Sequence, residues 1–432
     1  MSTPTTSAFW PALSEPESRI ELSRRPLGRQ LLDVLAMYAA SRVFSTALLA
    51  LGLWFVIAHD GHVPWQTSTP SFFVTSHGWY PHLPTFADAS ALWDSDHYAQ
   101  IAQFGYPSVL PRGLDGAVDP NNWAFLPLYP LLVGVLTGLF GTAFGATGAV
   151  ASLLFGAAAT VMLYLVVRDR VGYRPAWFAA TVFSFGPLAF MLQTAYAESL
   201  FLFLTFAALY LMQRRRYGWM LVPAVLACFT RPGGIALALA LLIVFVARAA
   251  QSRKDAATRS GDADAFPRPE RMKVLAAAAA VAAAGVAWPL IAWAATGRFD
   301  AYTATELSWR EGFLGHTEFM PFSAWFAIAW RYLGVGGIAI MAAAVVLFVL
   351  WVRRRGIRRL GVEVVATCMS YALYLLAVFM PQQSVFRVAM PLAPLIADRG
   401  IVERAWLRRL VLAIAVASQP VCVAVLWFYA NP

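Results

Sequence analysis

The chain has 432 residues, of which 59% are hydrophobic and only 13% are charged. Its mean hydropathy is +0.61. Soluble proteins carry about 25% charged residues, so the composition excludes an ordinary soluble domain and predicts an all-α polytopic membrane protein. The net charge is +10, but the basic residues lie in short clusters between apolar runs. That pattern indicates topology signals and contact with anionic membrane lipids, not a nucleic-acid interface.

The apolar runs predict one transmembrane domain over residues 31–430, preceded by a disordered cytoplasmic tail at 1–30 that lacks the pattern of a cleaved signal peptide. Three cysteines fall in apolar runs without C-x-x-C spacing, which supports neither disulfides nor a zinc site. Eleven membrane spans are predicted, near 31–58, 146–167, 175–193, 197–213, 217–230, 233–249, 273–295, 335–352, 360–380, 386–398 and 406–428.

The run 124–140 is also apolar, but charge argues that it does not cross the membrane. If it stays outside, all the basic clusters fall on one side, which the positive-inside rule makes cytoplasmic. We then expect a plasma-membrane protein with a cytoplasmic N-terminus and an outer C-terminus. Its first outer loop, 59–145, would carry interfacial helices, its second would be 296–334, and 250–271 would be a disordered cytoplasmic linker.

The segment 89–105 is predicted to be a short interfacial helix that carries reactive side chains. At helical spacing Asp94 lies beside His97 and Tyr98, so these three could share a pocket, whereas Asp96 points to another side. Asp94 is therefore the candidate base for a sugar hydroxyl. The alternative is that Asp94 caps the helix and Asp96 sits in its favourable first turn. A lone histidine such as His97 more often packs than carries a proton.

Two other polar positions have both a functional and a structural interpretation. The amides of Asn121 and Asn122 could hold substrate hydroxyls, or they could cap the turn before 124–140. Glu198 begins a span on the outer side, where the helix dipole alone would stabilise it, or where it could belong to a site.

Three arginines, Arg42, Arg231 and Arg387, fall within or at the edge of spans. Because arginine in hydrocarbon is costly, each should face a partner or a cavity. Guanidinium groups bind phosphate oxygens bidentately, which makes Arg231 and Arg387 candidate ligands of a lipid phosphate. The alternative is pairing with an acid or a backbone carbonyl, or snorkelling to the interface. Arg231 also lies in a Pro-Gly break between the short spans 217–230 and 233–249, which is typical of binding cavities.

Two motifs of the first outer loop, W-D-x-x-H-Y from Trp93 and N-W-A-F-L-P-L-Y-P from Asn122, resemble the glycosylphosphatidylinositol mannosyltransferase 2 (PIG-V) family. A-Y-A-E-S-L-F from Ala195 and T-R-P from Thr230 recur there in the same order. The resemblance implies a GT-C fold and inverting transfer of mannose from a polyprenyl phosphate to a lipid-linked or cell-envelope glycan.

By position, the resemblance assigns the base to Asp94, and it assigns the donor phosphate to Arg387 in the looser match Ser384-Val385-Phe386-Arg387. The chain departs from the family at Leu126, where a phenylalanine is common, and at Asp119, which replaces a nearby glutamate. These departures bear on the acceptor pocket.

No phosphate loop, zinc motif or convincing ligand cluster occurs, so we expect no metal and no cofactor beyond the lipid-linked donor. His62, His77, His82 and the loop-one aspartates could still bind an ion weakly. A lipid or sugar transporter, or a noncatalytic membrane subunit, remains the alternative function. The acceptor, the linkage, the oligomeric state and the choice between Asp94 and Asp96 stay open.

Overall fold

The computed structural model describes residues 25–58, 85–258, 266–316 and 318–429. The predictions for the tail 1–24 and for His62, His77 and His82 lie outside these residues. Within them, the backbone is helical or irregular, and a single bridge between Arg112 and Val118 is the only β-type pairing. The predicted all-helical membrane architecture is confirmed.

The described residues up to the Pro-Gly break contain eight α-helices. They are Leu27–Ala58 (α1), Phe86–Ala89 (α2), Asp94–Phe104 (α3), Leu128–Phe140 (α4), Phe144–Val171 (α5), Tyr173–Phe185 (α6), Glu198–Gln213 (α7) and Tyr217–Cys228 (α8). Short 3-10 helices occupy Asn122–Ala124, Ala189–Gln193 and Pro232–Ile235.

The described residues after the break contain ten more α-helices. They are Ala236–Thr258 (α9), Arg268–Thr296 (α10), Ala301–Ser308 (α11), Glu311–Leu314 (α12), Ser323–Val352 (α13), Arg355–Arg358 (α14), Val362–Val378 (α15), Val385–Val388 (α16), Arg399–Val402 (α17) and Ala405–Cys422 (α18). A 3-10 helix at Met390–Ala397 lies between α16 and α17, and a π-helix at Val423–Tyr429 follows α18.

Six of the described helical segments are long and apolar enough to cross a membrane. They are α1, α5, α10, α13, the segment Pro232–Arg253 that includes most of α9, and Ala405–Phe428, which joins α18 to the π-helix. Each has at least 22 residues, whereas a span needs about 20. Helices α7, α8 and α15 are shorter, so the count of eleven spans stays a prediction.

Two of the predicted spans are broken in the structure. The run 175–193 is divided because α6 ends before Gly186-Pro187, and a 3-10 helix follows. The run 386–398 consists of the four-residue α16 and a 3-10 helix that contains Pro391 and Pro394. Proline lacks the N–H of a regular helix and clashes with the preceding turn, which explains both interruptions.

Two predicted disordered segments are partly helical. Helix α9 continues through Thr258, so the prediction of disorder is wrong for 250–258, and α10 begins at Arg268 inside the same predicted linker. Alanine, arginine, glutamine and lysine dominate the end of α9 and favour helix. The first helix likewise begins at Leu27, inside the predicted tail.

The apolar run 124–140 forms α4, a helix of 13 residues that ends at Gly141 in a left-handed conformation (φ +62°). A helix of this length spans about 20 Å, which is shorter than the roughly 30 Å of a hydrocarbon core. This length supports the interpretation that 124–140 does not cross the membrane alone.

Helix α5 packs against α7 and α9 packs against α15, and an ion network lies at one end of these helices. Arg170 binds Glu363 at 2.8 Å, and Arg248 joins Glu363 at 2.6 Å to Glu270 at 2.7 Å. We call Arg170, Arg248, Glu270 and Glu363 the basal cluster. The candidate site lies at the opposite end of these helices, where α7 and the 3-10 helix before α9 begin.

Candidate active site

Asp94 is the first residue of α3, and its position is set by an unusual backbone conformation. The preceding residue, Trp93, is the N-cap with φ +60° and ψ −116°. A non-glycine residue in this region costs about 1–3 kcal/mol and persists only where its surroundings enforce it. The Trp93 indole Nε1 donates to the Trp427 carbonyl at 2.9 Å, which helps to hold the conformation.

The start of α3 is tied to the segment before α7 by hydrogen bonds. The Asp94 amide donates to the Tyr196 hydroxyl at 3.1 Å, and the Ser95 hydroxyl donates to the Ala195 carbonyl at 2.8 Å. The Ala195 amide in turn donates to the Ser90 carbonyl at 2.8 Å. Two motifs that are 100 residues apart in the sequence are therefore held against each other.

Arg231 is placed by the Pro-Gly break between α8 and α9. A Cβ on Gly234 would lie 2.6 Å from the Cys228 amide nitrogen, and one on Gly233 would lie 2.6 Å from the Tyr371 ring. Only glycine allows this close approach. The Leu128 amide donates to the Phe229 carbonyl at 3.0 Å, which joins the start of α4 to the break.

Four charged side chains meet at this end of the bundle, and we call Asp94, Glu198, Arg231 and Arg387 the cavity cluster. Arg387 Nη1 donates to Asp94 Oδ2 at 2.6 Å, and its Nε lies 3.2 Å from Glu198 Oε1. Arg231 also pairs with Glu198 and lies 4.0 Å from Asp94. The four side chains come from four distant parts of the chain and balance in charge.

The hydrogen bonds of the cavity cluster are incomplete. Among the described residues, the Nε atoms of Arg231 and Arg387 and Oε2 of Glu198 have no hydrogen-bond partner, although all three atoms are buried. Buried polar atoms are normally satisfied, because an unpaired one costs about 1–3 kcal/mol. The ion pairs of the cavity cluster therefore do not satisfy all the polar atoms of its own side chains.

The cavity cluster faces a cavity of about 280 Å³. Asp94 and Tyr98 come from α3, Arg231 from the Pro-Gly break and Arg387 from α16. Glu198 is only 3% exposed and contacts both arginines without lining the cavity itself. Burial raises the pKa of Tyr98 well above its ordinary value, so this phenol stays protonated and is not the base.

His97 does not share this cavity with Asp94, so that part of the prediction is wrong. Its Nδ1 is 2.9 Å from Asn122 Oδ1, and its ring stacks on Phe125 with 4.5 Å between the centroids. His97 and Asn122 line a separate, open groove with Gln100. The stacked Phe125 lines the main cavity, so it stands between His97 and the cavity cluster.

Two sequence candidates have structural partners. Asn121 caps the 3-10 turn through the Trp123 amide at 3.1 Å, which is the structural interpretation. Arg42 donates to the carbonyls of Ser184 (2.7 Å) and Ala189 and lies over the Tyr38 ring. Pairing with backbone carbonyls, the alternative for Arg42, is therefore what the structure shows.

One group of side chains among the described residues has the arrangement of a metal-ligand set. Asp115, Glu311 and His316 place one ligand atom each within 4.8 Å of one another. Asp115 and His316 are exposed, and the histidine already contacts both carboxylates. Exposed ion pairs of this kind are common at protein surfaces, and the group lies outside the main cavity.

Sequence reasoning missed the contribution of the loop 296–334 to the cavity. Tyr302 and Glu306 of α11, with Arg310 after it, line the cavity together with the cavity cluster. The signal was present, because these three residues recur every four positions on one face of a helix.

Residues 69–251 match the family described as Mannosyltransferase (PIG-V). The resemblance to the PIG-V family is confirmed. The PIG-V motifs that begin at Trp93, Asn122, Ala195 and Thr230 all lie inside the matched residues, whereas Arg387 lies outside them.

Curated relatives of the PIG-V type match part of the chain. The GPI alpha-1,6-mannosyltransferase 2 of Mus musculus is 33% identical over 140 residues, which are 29% of this chain and 25% of the mouse protein. The protein of the same name from Rattus norvegicus is 29% identical over 200 residues, which are 43% of this chain and 37% of the rat protein. The chain thus spans between a quarter and little more than a third of these relatives.

Solved structures of the Archaeoglobus fulgidus oligosaccharyltransferase are also similar. The apo form is 14% identical and covers 92% of this chain and 56% of that chain, with a TM-score of 0.42. The complex with an inhibitory peptide and a dolichol-phosphate has the same identity and coverage and a TM-score of 0.38. At these TM-scores the likeness does not establish a shared fold, and the GT-C fold stays a prediction from the PIG-V resemblance.

Proposed function

We propose that this protein is an inverting mannosyltransferase. It takes mannose from a polyprenyl phosphate and transfers it to a hydroxyl group of a lipid-linked or cell-envelope glycan at the extracytoplasmic face. The observation that carries the proposal is the cavity cluster, in which the carboxylate of Asp94 and two arginines line one cavity. The match to the PIG-V family and the mannosyltransferase names of the curated relatives support it.

The chemistry requires a proton acceptor and a means to stabilise the leaving group. The acceptor oxygen forms a bond to the anomeric carbon of mannose while the bond from that carbon to the phosphate oxygen breaks. Asp94 takes the hydroxyl proton, and the electron pair leaves with the prenyl phosphate. Attack from the face opposite the phosphate inverts the anomeric centre.

The arginines supply the electrostatic part of the mechanism. Charge develops on the phosphate as the bond breaks, and guanidinium donors in a site without bulk water stabilise it strongly. Arg387 binds Asp94 at 2.6 Å in the structure described here. A donor phosphate would compete with Asp94 for Arg387 and leave the carboxylate available for the acceptor.

The test is turnover by the full-length protein in lipid nanodiscs with labelled polyprenyl-phosphate-mannose and extracted envelope lipids. We expect a mannosylated lipid of inverted configuration. The Asp94→Asn variant should lose turnover by about 10²- to 10⁴-fold while it keeps its fold and donor binding. The matched control is Asp96→Asn, because Asp96 belongs to the same helical turn but does not line the cavity.

The alternatives give different results in the same experiment. A transporter would move the labelled lipid between leaflets without forming a product. Product formation would then be absent in both the wild type and Asp94→Asn. A noncatalytic subunit would give neither product nor movement. If Asp96→Asn abolishes turnover and Asp94→Asn does not, the assignment of the base is wrong.

The proposed membrane face has its own test. Glu318 is exposed in the second outer loop and Arg355 is exposed after α13. In a background without the three native cysteines, Glu318→Cys should react with an impermeant maleimide added to intact cells, and Arg355→Cys only after lysis. The opposite result would contradict the proposed orientation.

A further inference from the structure

Glu306 is the one acid of the cavity wall, among the described residues, that is not ion-paired. It lies on α11 in the second outer loop and lines the same cavity as Asp94. Asp94 is paired with Arg387, and Glu198 with both arginines of the cavity cluster. Arg310, one turn after Glu306, instead donates to the Val378 carbonyl at 2.7 Å.

Glu306 is held in place by the packing of α11. Next to it, Thr305 accepts a hydrogen bond from Asn121 Nδ2 at 2.9 Å and is fully buried. At the start of the helix, Ala301 is buried in a hydrophobic cluster with Trp123 and Trp288. The first outer loop therefore fixes α11 on one side, and the face with Glu306 is turned to the cavity.

The surroundings of Glu306 favour a hydrogen-bonding role. Burial raises its pKa, and the nearby Tyr302 side chain and the charges of Arg310 and Arg231 oppose that shift. The Tyr374 side chain lines the same cavity. A carboxylate whose pKa is raised is a stronger hydrogen-bond acceptor than one held by an arginine.

We propose that Glu306 binds a hydroxyl group of the acceptor sugar, so that each outer loop supplies one carboxylate to the same cavity. This inference rests on the proposed mannosyltransferase function. A carboxylate repels the donor phosphate, which belongs with Arg231 and Arg387. An acceptor that enters the cavity carries hydroxyl groups, and the Asp94 carboxylate then meets the reacting hydroxyl while Glu306 binds a neighbouring one.

The test separates binding of the two substrates. In the full-length protein, Glu306→Gln should raise the acceptor KM about tenfold or more, because it replaces a charged hydrogen bond by a neutral one. The donor KM should change little. In the wild type the acceptor KM should fall as pH rises through the pKa of Glu306, and the variant should lose that dependence.

The control for Glu306→Gln is a second acid of the same loop, Glu318. Glu318→Gln changes an exposed acid of the same loop and should leave both KM values as they are. An unchanged acceptor KM in a normally folded Glu306→Gln protein overturns this inference alone. So does a rise in the donor KM instead. If the wild type forms no product, the proposed function fails, and this inference fails with it.

Discussion

The cavity cluster and the basal cluster are built from the same residue types and lie at opposite ends of the same helices. In the basal cluster, Glu363 offers one oxygen to Arg170 and the other to Arg248, and Arg248 also binds Glu270. None of these side chains has a buried polar atom without a hydrogen-bond partner. The network is closed, as expected of a structural element.

The cavity cluster differs because some of its polar atoms lack hydrogen-bond partners and because a cavity reaches it. Buried atoms of Glu198, Arg231 and Arg387 have no hydrogen-bond partner among the described residues, and the two arginines face the cavity. Incomplete hydrogen bonds and contact with a cavity distinguish the cavity cluster, as a candidate site, from the basal cluster. Changes in the two clusters should therefore affect different properties.

The largest effect should follow from opening the basal cluster. Glu363→Gln leaves Arg170 and Arg248 without their shared carboxylate, which should lower the free energy of unfolding by about 3–5 kcal/mol. Turnover per folded molecule should stay the same. Unfolding in a denaturing detergent measures the first quantity. Glu403→Gln, which removes an exposed pair with Arg399, is the control and should change it by less than about 1 kcal/mol. A Glu363→Gln protein that is stable but inactive would show that the basal cluster is not a purely structural element.

A smaller effect, this time on chemistry, is expected in the cavity cluster. Arg387→Lys keeps the positive charge but loses the fork that can hold a phosphate, so turnover should fall about 100-fold. Steady-state kinetics with the lipid-linked donor measures it. Arg170→Lys, the equivalent change in the basal cluster, should alter turnover less than about twofold. Equal losses in the two variants would mean that the clusters have the same role.

Trp93, the strained residue before Asp94, provides a further test of how the cavity cluster is held in place. Trp93→Phe removes the hydrogen bond to the Trp427 carbonyl, which should cost about 1 kcal/mol of stability and a few-fold in turnover. Trp351→Phe removes the bond from Trp351 Nε1 to Asp398 Oδ2 at 3.1 Å, and neither residue lines the cavity. It should cost the same stability without the loss of turnover. An equal fall in turnover would show that the conformation of Trp93 does not direct Asp94.

The smallest effect is expected from metal removal. The group Asp115, Glu311 and His316 lies outside the cavity, and the proposed chemistry needs no ion. Turnover in the presence of a chelator should stay within about twofold of its normal value. Loss of activity that a divalent cation restores would contradict this prediction.

The sequence predicted the parts of the molecule that depend on local pattern. The predicted short helix that carries Asp94 and the Pro-Gly break at Arg231 are both present. For Glu198 and Arg387 the sequence allowed both a structural and a functional interpretation, and the structure places both residues in one cluster. Their contacts join residues as far apart as Asp94 and Arg387, and such pairing is set by helix packing that periodicity does not encode.

The errors also have physical causes. Helical spacing put His97 beside Asp94, but stacking on Phe125 turns the histidine ring toward a different groove. The span 386–398 was read from hydropathy, which ignores the proline residues that produce a 3-10 helix. Glu306 was passed over because a single acid on a loop helix gives no motif, although the spacing of Tyr302, Glu306 and Arg310 marks one face.

The most direct test of the account is the binding of polyprenyl-phosphate-mannose to the full-length protein in nanodiscs. Asp94→Asn should bind the donor at least as tightly as the wild type, because it removes the carboxylate that competes for Arg387. The double variant Arg231→Gln/Arg387→Gln should bind the donor at least about tenfold more weakly than the wild type. Unfolding measurements on each variant confirm that it is folded. Undiminished binding by the folded double variant would contradict the claim that the cavity cluster holds the lipid phosphate.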